Sequence, residues 1–263
     1  MTGAPGPGIP EPPRPTGSAA ERAALVIERV VKVLHEAGWV ILLVLLLSLA
    51  LTPLMLLPGV LNLPPPEAQG LDPKQFSQFT PEGLRFLNGF SLALLFGLEA
   101  TLIGYTVARD RRRLAAWFRP SARSLLIGLG GGVAMFTIGI GGTLAVQALG
   151  IDVPDSASEL LRVMPLPLVL LVVVILAPLG EELYFRGRLF EGLARWYGDP
   201  ISALMTASFF AFVHFSLSLY PVFLLLGLVL AWLRRATGGL VAPVTAHFIN
   251  NAAAFALTLW GPK

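Results

Sequence analysis

The sequence predicts an all-α fold, a polytopic membrane helix bundle with about seven transmembrane helices. Two observations lead to this prediction. Of the 263 residues, 55% are hydrophobic and only 13% are charged, whereas about a quarter of the residues of a soluble domain are charged. Four runs without a charged residue also exceed the roughly 20 apolar residues that cross a bilayer, and they cover 37–66, 124–151, 200–233 and 236–262.

Composition excludes several other classes of protein. The chain has no cysteine, so we expect no disulfide scaffold, no Cys–His zinc site and no thiol nucleophile. The net charge of +3 resides in the loops and indicates orientation in a lipid bilayer, with no nucleic-acid partner. Because the first apolar run is of full spanning length and follows a polar, Pro-rich start, we predict no removable signal peptide.

The first elements in chain order are a tail, a surface helix and a span. Residues 1–20 are rich in Pro and Gly with little to bury, which predicts a disordered tail. Residues 21–37 are expected to form an amphipathic helix on the membrane surface. The first span is predicted at about 39–57, where prolines stop it. We take 21–160 as one N-terminal unit that contains this span and the next two.

A Pro-rich loop through residue 81 leads to the second span, at about 88–107, with Glu99 near its middle. The basic run Arg109–Arg113 follows and is expected to anchor the cytoplasmic side. The third span, at about 125–149, is rich in glycine. No strand precedes these glycines, so close helix packing is favoured over a nucleotide-binding loop.

The C-terminal part is predicted to contain four more spans. Helical character runs from Pro165 to Tyr197, about 50 Å at 1.5 Å per residue and too long for one straight span, so we expect a kink at Pro178. The run 200–233 is divided by Tyr220-Pro221 into a fifth and a sixth span. The seventh is predicted at 241–260.

Loop charges predict the orientation of the chain. With the N-terminus in the cytoplasm, the inner segments hold 15 Lys and Arg and the outer segments hold 4. This agrees with the rule that cytoplasmic loops carry an excess of Lys and Arg. The chain also has 16 Arg against 3 Lys and is rich in Ala, Gly and Pro, which is typical of a GC-rich prokaryote. We therefore predict a multi-pass protein of a prokaryotic cell membrane with a cytoplasmic N-terminus.

Ionisable side chains at membrane depth cost about 2.5 to 3.5 kcal/mol each on insertion scales, which makes them candidates for a functional site. Glu99 is one of them. It is either a structural residue, which would be protonated or paired with a donor such as Gln147, or it belongs to a substrate site. The other candidates are Glu181, Glu182, Arg186, His214 and His247.

Helical spacing relates these residues to one another. Glu182 and Arg186 are four apart, so they share a helix face and are expected to form a structural ion pair. Glu181 is then turned about 100° away, toward another surface. Phe210 and His214 repeat the spacing of four, which lets the phenyl ring pack beside the imidazole.

Distances along the helices predict a catalytic site. Glu181 and His214 lie roughly 25 and 21 Å from the turn at 198–200, so their side chains can meet and activate a water molecule. His247 and Asn251 are four apart and can stabilise an oxyanion. His247 lies only about 12 Å past the turn at 238–239. It reaches the depth of Glu181 only if that turn dips into the membrane.

Three stretches resemble motifs of one family. Residues 177–193 (APLGEELYFRGRLFEGL) resemble the E-E-x-x-x-R motif of the CPBP family, also called the ABI family, which comprises CAAX-type prenyl endopeptidases and bacteriocin-processing enzymes. Residues 208–215 (SFFAFVHF) resemble its F-x-x-x-H motif. Residues 233–251 (LRRATGGLVAPVTAHFINN) end in its H-x-x-x-N motif. The resemblance covers about 165–260 and identifies 161–263 as the catalytic membrane core, formed by the C-terminal four helices.

The resemblance implies a membrane-embedded glutamate endopeptidase. Glu181 and His214 would activate water, and His247 and Asn251 would serve the oxyanion. The supporting residues would be Glu182, Arg186 and Phe210. The substrate would be a membrane-associated protein or peptide, with or without a lipid anchor, and no cofactor would be required.

Other interpretations stay open at this point. A zinc enzyme would use Glu181, His214 and His247 as ligands, although the H-E-x-x-H signature is absent. Some members of the family serve immunity or scaffolding, so a non-catalytic protein that binds a peptide or partner helix in the same cavity is the main alternative. A buried polar network that only joins helices is another. A transporter is less favoured because no inverted repeat is evident, and the sequence leaves the oligomeric state undetermined.

Overall fold

The computed structural model describes residues 18–57, 81–153 and 156–260. Within these ranges 89% of the residues are helical and there is no strand, so the predicted all-α membrane bundle is confirmed. The tail up to residue 17 and the loop 58–80 lie outside the described residues.

Three long helices form the N-terminal part. They are α1 (Ala19–Met55), α2 (Pro81–Trp117) and α3 (Ala122–Ala148). A capping box starts α1, in which Ser18 and Glu21 satisfy each other's backbone N–H groups. The predicted surface helix 21–37 is therefore no separate element, because α1 continues through it into the first span without a break.

A short helix, α4 (Ser156–Val163), precedes the long segment Leu166–Val213. This segment is helical throughout but changes type: α5 (Leu166–Val169), a first π-helix (Leu170–Leu176), α6 (Ala177–Glu181), a second π-helix (Glu182–Leu189) and α7 (Phe190–Val213). Near Pro178, where a kink was expected, the chain changes from a π-helical to an α-helical turn at Ala177. The turn predicted near 198 is present, because Gly198 has a φ of 76° and breaks α7.

Two helices complete the bundle, α8 (Tyr220–Thr237) and α9 (Val241–Trp260). Five segments of the described chain are long and apolar enough to cross a membrane, and Leu166–Val213 is one of them. It contains both the fourth and the fifth predicted spans. The seventh predicted span corresponds to α9, which is not among the five. Its polar residues, His247 and two asparagines, lower its hydropathy.

Glycines of α3 allow α8 and α9 to pack closely against it. A side chain at Gly128 or Gly132 would collide with α9, and one at Gly142 would collide with Val222 of α8. Gly131 faces Leu233 and Ala246 in the same way. The predicted close helix packing is confirmed at these positions, since small residues let backbones approach.

A charged network joins the N-terminal helices to the second π-helix. The guanidinium of Arg188 donates to both carboxylate oxygens of Glu36 on α1, at 2.6 and 3.0 Å. It also donates to Asp110 of α2 at 2.6 Å. Bidentate pairing of this kind fixes geometry as well as charge. It ties α1 and α2 to the part of the chain that carries the three motifs.

Candidate active site

One cavity of about 290 Å³ lies among the C-terminal helices, α2 and α3. Its lining includes all four residues that the sequence analysis assigned to catalysis. They are Glu181, His214, His247 and Asn251. The structure therefore brings the proposed base pair and the proposed oxyanion pair to one chamber. Their chemical roles stay predictions.

Glu181 and Glu182 both approach the imidazole of His247. Glu182 Oε1 is 3.0 Å from Nδ1, and Glu181 Oε2 is 3.9 Å from Nε2. The two side chains nevertheless face different surroundings, as expected: Glu181 lines the cavity, whereas Glu182 does not and pairs with Arg186.

The predicted ion pair is present and fully buried. Arg186 Nη1 donates to Glu182 Oε1 at 3.0 Å, and neither side chain is exposed to solvent. Arg186 Nη2 donates to the backbone carbonyl of Gly227 at 3.1 Å. Its guanidinium also lies 4.5 Å from the centre of the Phe210 ring, a cation–π contact. Arg186 thus fixes Glu182, which in turn holds His247.

His214 ends α7 and is held in one orientation. Its Nδ1 lies 2.7 Å from the carbonyl oxygen of Phe210. A carbonyl only accepts hydrogen bonds, so Nδ1 carries a proton, and Nε2 is the ring nitrogen that offers a lone pair when the imidazole is neutral. The imidazole is stacked on Phe223, with centroids 4.1 Å apart, and packs against Phe210 at 4.5 Å. The predicted contact between the ring of residue 210 and this imidazole is therefore present.

Asn251 satisfies a carbonyl that the first π-helix leaves free. The N–H of Ala177 donates to the carbonyl oxygen of Val172 and not to that of Val173. The next residue, Pro178, has no N–H to donate. The carbonyl of Val173 would be unpaired, but Asn251 Nδ2 donates to it at 2.8 Å. Only the second amide hydrogen of Asn251 remains for a substrate. This bond was not predicted from the sequence.

Asn250 is a lining residue that sequence reasoning missed. Its Nδ2 donates to Asn251 Oδ1 at 3.0 Å. This bond fixes which side of the Asn251 amide carries the NH₂ group. The only signal in the sequence was that Asn250 stands beside the motif asparagine.

The last part of the turn between α8 and α9 packs against the end of α2. Leu240 is fully buried, and its N–H donates to the carbonyl oxygen of Trp117 at 2.7 Å. Gly239 packs against the same carbonyl, where no side chain would fit. The end of α2 therefore covers this turn. His247, two helical turns further along, reaches both glutamates.

Glu99 enters the cavity from α2. Its side chain is 1% exposed. Its Oε2 has no hydrogen-bond partner. The expected pairing with Gln147 is absent, since Gln147 is exposed on α3. Glu99 is instead a second carboxyl of the chamber that holds Glu181.

Metal binding has no support from the arrangement of ligands in the described ranges. Within 18–57, 81–153 and 156–260, no three His, Asp or Glu side chains are placed so that they could hold a metal ion. Glu181, His214 and His247 share the cavity, but they do not converge as a ligand set.

The helix bundle with its buried polar cavity defines an integral, multi-pass membrane protein. Residues 163–253 match the family model described as type II CAAX prenyl endopeptidase Rce1-like. The match supports the resemblance of this part of the chain to the CPBP family of CAAX proteases, which its three motifs predict. The family implies an intramembrane CAAX protease that acts on a membrane-associated protein. No curated protein and no solved structure matches the chain.

Proposed function

We propose that the protein is an intramembrane endopeptidase that hydrolyses a peptide bond of a membrane-associated protein with water activated by Glu181 and His214. The observation that carries the proposal is the cavity of about 290 Å³, in which residues from all three motifs meet. The alternative is a non-catalytic protein of the same family that binds a peptide in this chamber.

Glu181 is the general base of the proposed reaction. Its Oε2 is buried and has no hydrogen-bond partner, so it is free to accept a proton from water. The lone pair on Nε2 of His214 accepts the second hydrogen of that water and orients it. The hydroxide formed as Glu181 takes the proton attacks the carbonyl carbon of the scissile bond.

His247 and Asn251 stabilise the oxyanion of the tetrahedral intermediate. His247 Nδ1 is engaged with Glu182, so Nε2 is the nitrogen that faces the substrate, and it donates only from the protonated ring. Asn251 contributes its second amide hydrogen. Because both side chains are held before the substrate binds, they cost little reorganisation during the reaction.

The proposal is tested with purified protein in lipid nanodiscs. A fluorescent peptide with a prenylated CAAX terminus is expected to be cut at one bond, and mass spectrometry identifies both products. The same peptide without the prenyl group shows whether the lipid anchor is needed. Saturable binding of both peptides without any cleavage would favour the non-catalytic alternative.

The proposed reaction requires no metal. We expect the rate of peptide hydrolysis to be unchanged after treatment with a zinc chelator, and elemental analysis to find far less than one zinc per active chain. The contrary result is one zinc per chain that the chelator removes together with activity and that added zinc restores. It would make Glu181 and the two histidines ligands.

The proposed orientation puts the N-terminus in the cytoplasm of a prokaryotic cell. The chain has no natural cysteine, so single cysteines report topology cleanly. Arg112 and Asp152 are both exposed, and Arg112→Cys is expected to label only from the cytoplasmic side and Asp152→Cys only from the outer side. An impermeant maleimide on intact and opened cells makes the measurement. Labelling of both positions from one side would contradict the orientation.

A further inference from the structure

A buried carboxyl group from outside the matched family segment takes part in the cavity. Glu99 belongs to α2 and lies far before residues 163–253. It lines the cavity with a side chain that is 1% exposed. Burial of a carboxyl without a partner is costly in a membrane protein and indicates a function.

Gly180 permits this approach. A methyl group at Gly180 would lie 2.6 Å from Glu99 Oε2 and 3.2 Å from the Glu99 carbonyl oxygen. Alanine there would push the carboxyl away. Gly180 directly precedes the proposed base, Glu181, and its lack of a side chain leaves room for a second carboxyl group.

The surroundings of the three carboxyl groups differ. Glu182 is paired with Arg186 at 3.0 Å, and Glu181 lies 3.9 Å from an imidazole nitrogen. In the part of the chain that the structure describes, no cation forms a salt bridge with Glu99, and its Oε2 accepts no hydrogen bond. Two carboxylates in one buried chamber repel each other, so one keeps its proton. Glu99 is the one of the three without an arginine or histidine nitrogen in salt-bridge contact, among the described residues.

We infer that Glu99 is the general acid of the reaction, an assignment that rests on the proposed function. Glu181 takes a proton from water as the hydroxide bonds to the carbonyl carbon. When the C–N bond breaks, its electron pair goes to nitrogen, and Glu99 gives its proton to that nitrogen. The products are a carboxylic acid and a neutral amine. The proton on Glu181 returns to Glu99 through water and restores both groups.

This role matters for an amide because an unprotonated amine anion is a very poor leaving group. An aryl ester releases a stable phenolate and does not need the proton. A general acid therefore contributes to amide hydrolysis but not to aryl-ester hydrolysis. A residue that only supports the fold affects both.

The test compares a prenylated peptide with its nitrophenyl ester on the same enzyme in nanodiscs. Glu99→Gln is expected to lower amide turnover by about a hundredfold to ten-thousandfold and to change ester turnover by less than about threefold. Glu181→Gln is expected to lower both. The matched control is Thr106→Val, which removes another buried, unpartnered polar group of α2 that does not line the cavity. It is expected to leave both rates unchanged.

The outcomes separate the inference from the proposed function. Hydrolysis of neither substrate by the natural protein would overturn both. If the natural protein cleaves both substrates, equal effects of Glu99→Gln on the two rates, or no effect on either, would overturn the inference alone. Should Glu99→Gln not fold, Glu99→Asp carries the test. Its retracted carboxyl is expected to lower the ratio of amide to ester turnover, and an unchanged ratio would contradict the inference.

Discussion

Glu181→Gln is expected to lower the rate of peptide hydrolysis by about a hundredfold to ten-thousandfold while the protein stays folded. Glutamine keeps the shape of the side chain and an acceptor oxygen near His247, but it cannot take a proton from water. Because Oε2 of Glu181 makes no hydrogen bond within the protein, the fold loses little. The measurement is single-turnover cleavage, together with thermal unfolding of the same nanodisc preparation.

The control for this variant is Glu159→Gln, the same chemical change at an exposed glutamate. It is expected to leave the cleavage rate unchanged. Binding of a non-cleavable peptide should also be similar in the natural protein and in Glu181→Gln, since general-base catalysis acts in the transition state. Full cleavage activity in Glu181→Gln would exclude Glu181 as the base.

Arg186→Ala is expected to abolish the folded protein. The change leaves the carboxylate of Glu182 without its cation and the carbonyl of Gly227 without its donor, in a place with no solvent access. Removing one partner of a buried ion pair costs on the order of 3 kcal/mol or more. Size-exclusion profiles and thermal unfolding of purified protein measure the effect.

A second substitution distinguishes charge from packing. Glu182→Gln in the same chain removes the uncompensated charge and is expected to restore part of the folded protein. The restoration is partial because the Gly227 carbonyl stays unpaired. Arg195→Ala is the matched control, since this arginine is 52% exposed and an exposed pair contributes little. Arg186→Ala that folds normally but does not cleave would mean that the arginine serves the substrate.

The helices were largely predictable because bilayer thickness sets their length and Gly and Pro mark their ends. The order of the C-terminal helices and the turn at Gly198 follow from these signals. The continuity of α1 could not be predicted, because a change from polar to apolar residues within one helix resembles a boundary between two helices. Neither π-helix was predicted, because seven or eight residues are too few to reveal a changed period.

The candidate site was predictable where the spacing within a helix decides the contact. The ion pair between Glu182 and Arg186 is of this kind. The bond from Glu182 to His247 was not predicted, because it depends on the rotation of one helix against another. Glu99 was recognised as out of place in a membrane. Its position at the cavity could not be derived, since it depends on how α2 packs against Gly180.

The hydrogen bond between Leu240 and Trp117 limits how this architecture can evolve or be engineered. The matched segment 163–253 takes a backbone acceptor from Trp117 and an ion-pair partner for Arg188 from each of α1 and α2. It is therefore not a portable module. A chimera that joins this segment to the first helices of a distant relative inherits mismatched contacts at each of these points. Viable exchanges should be those in which Glu36, Asp110 and their counterparts change together.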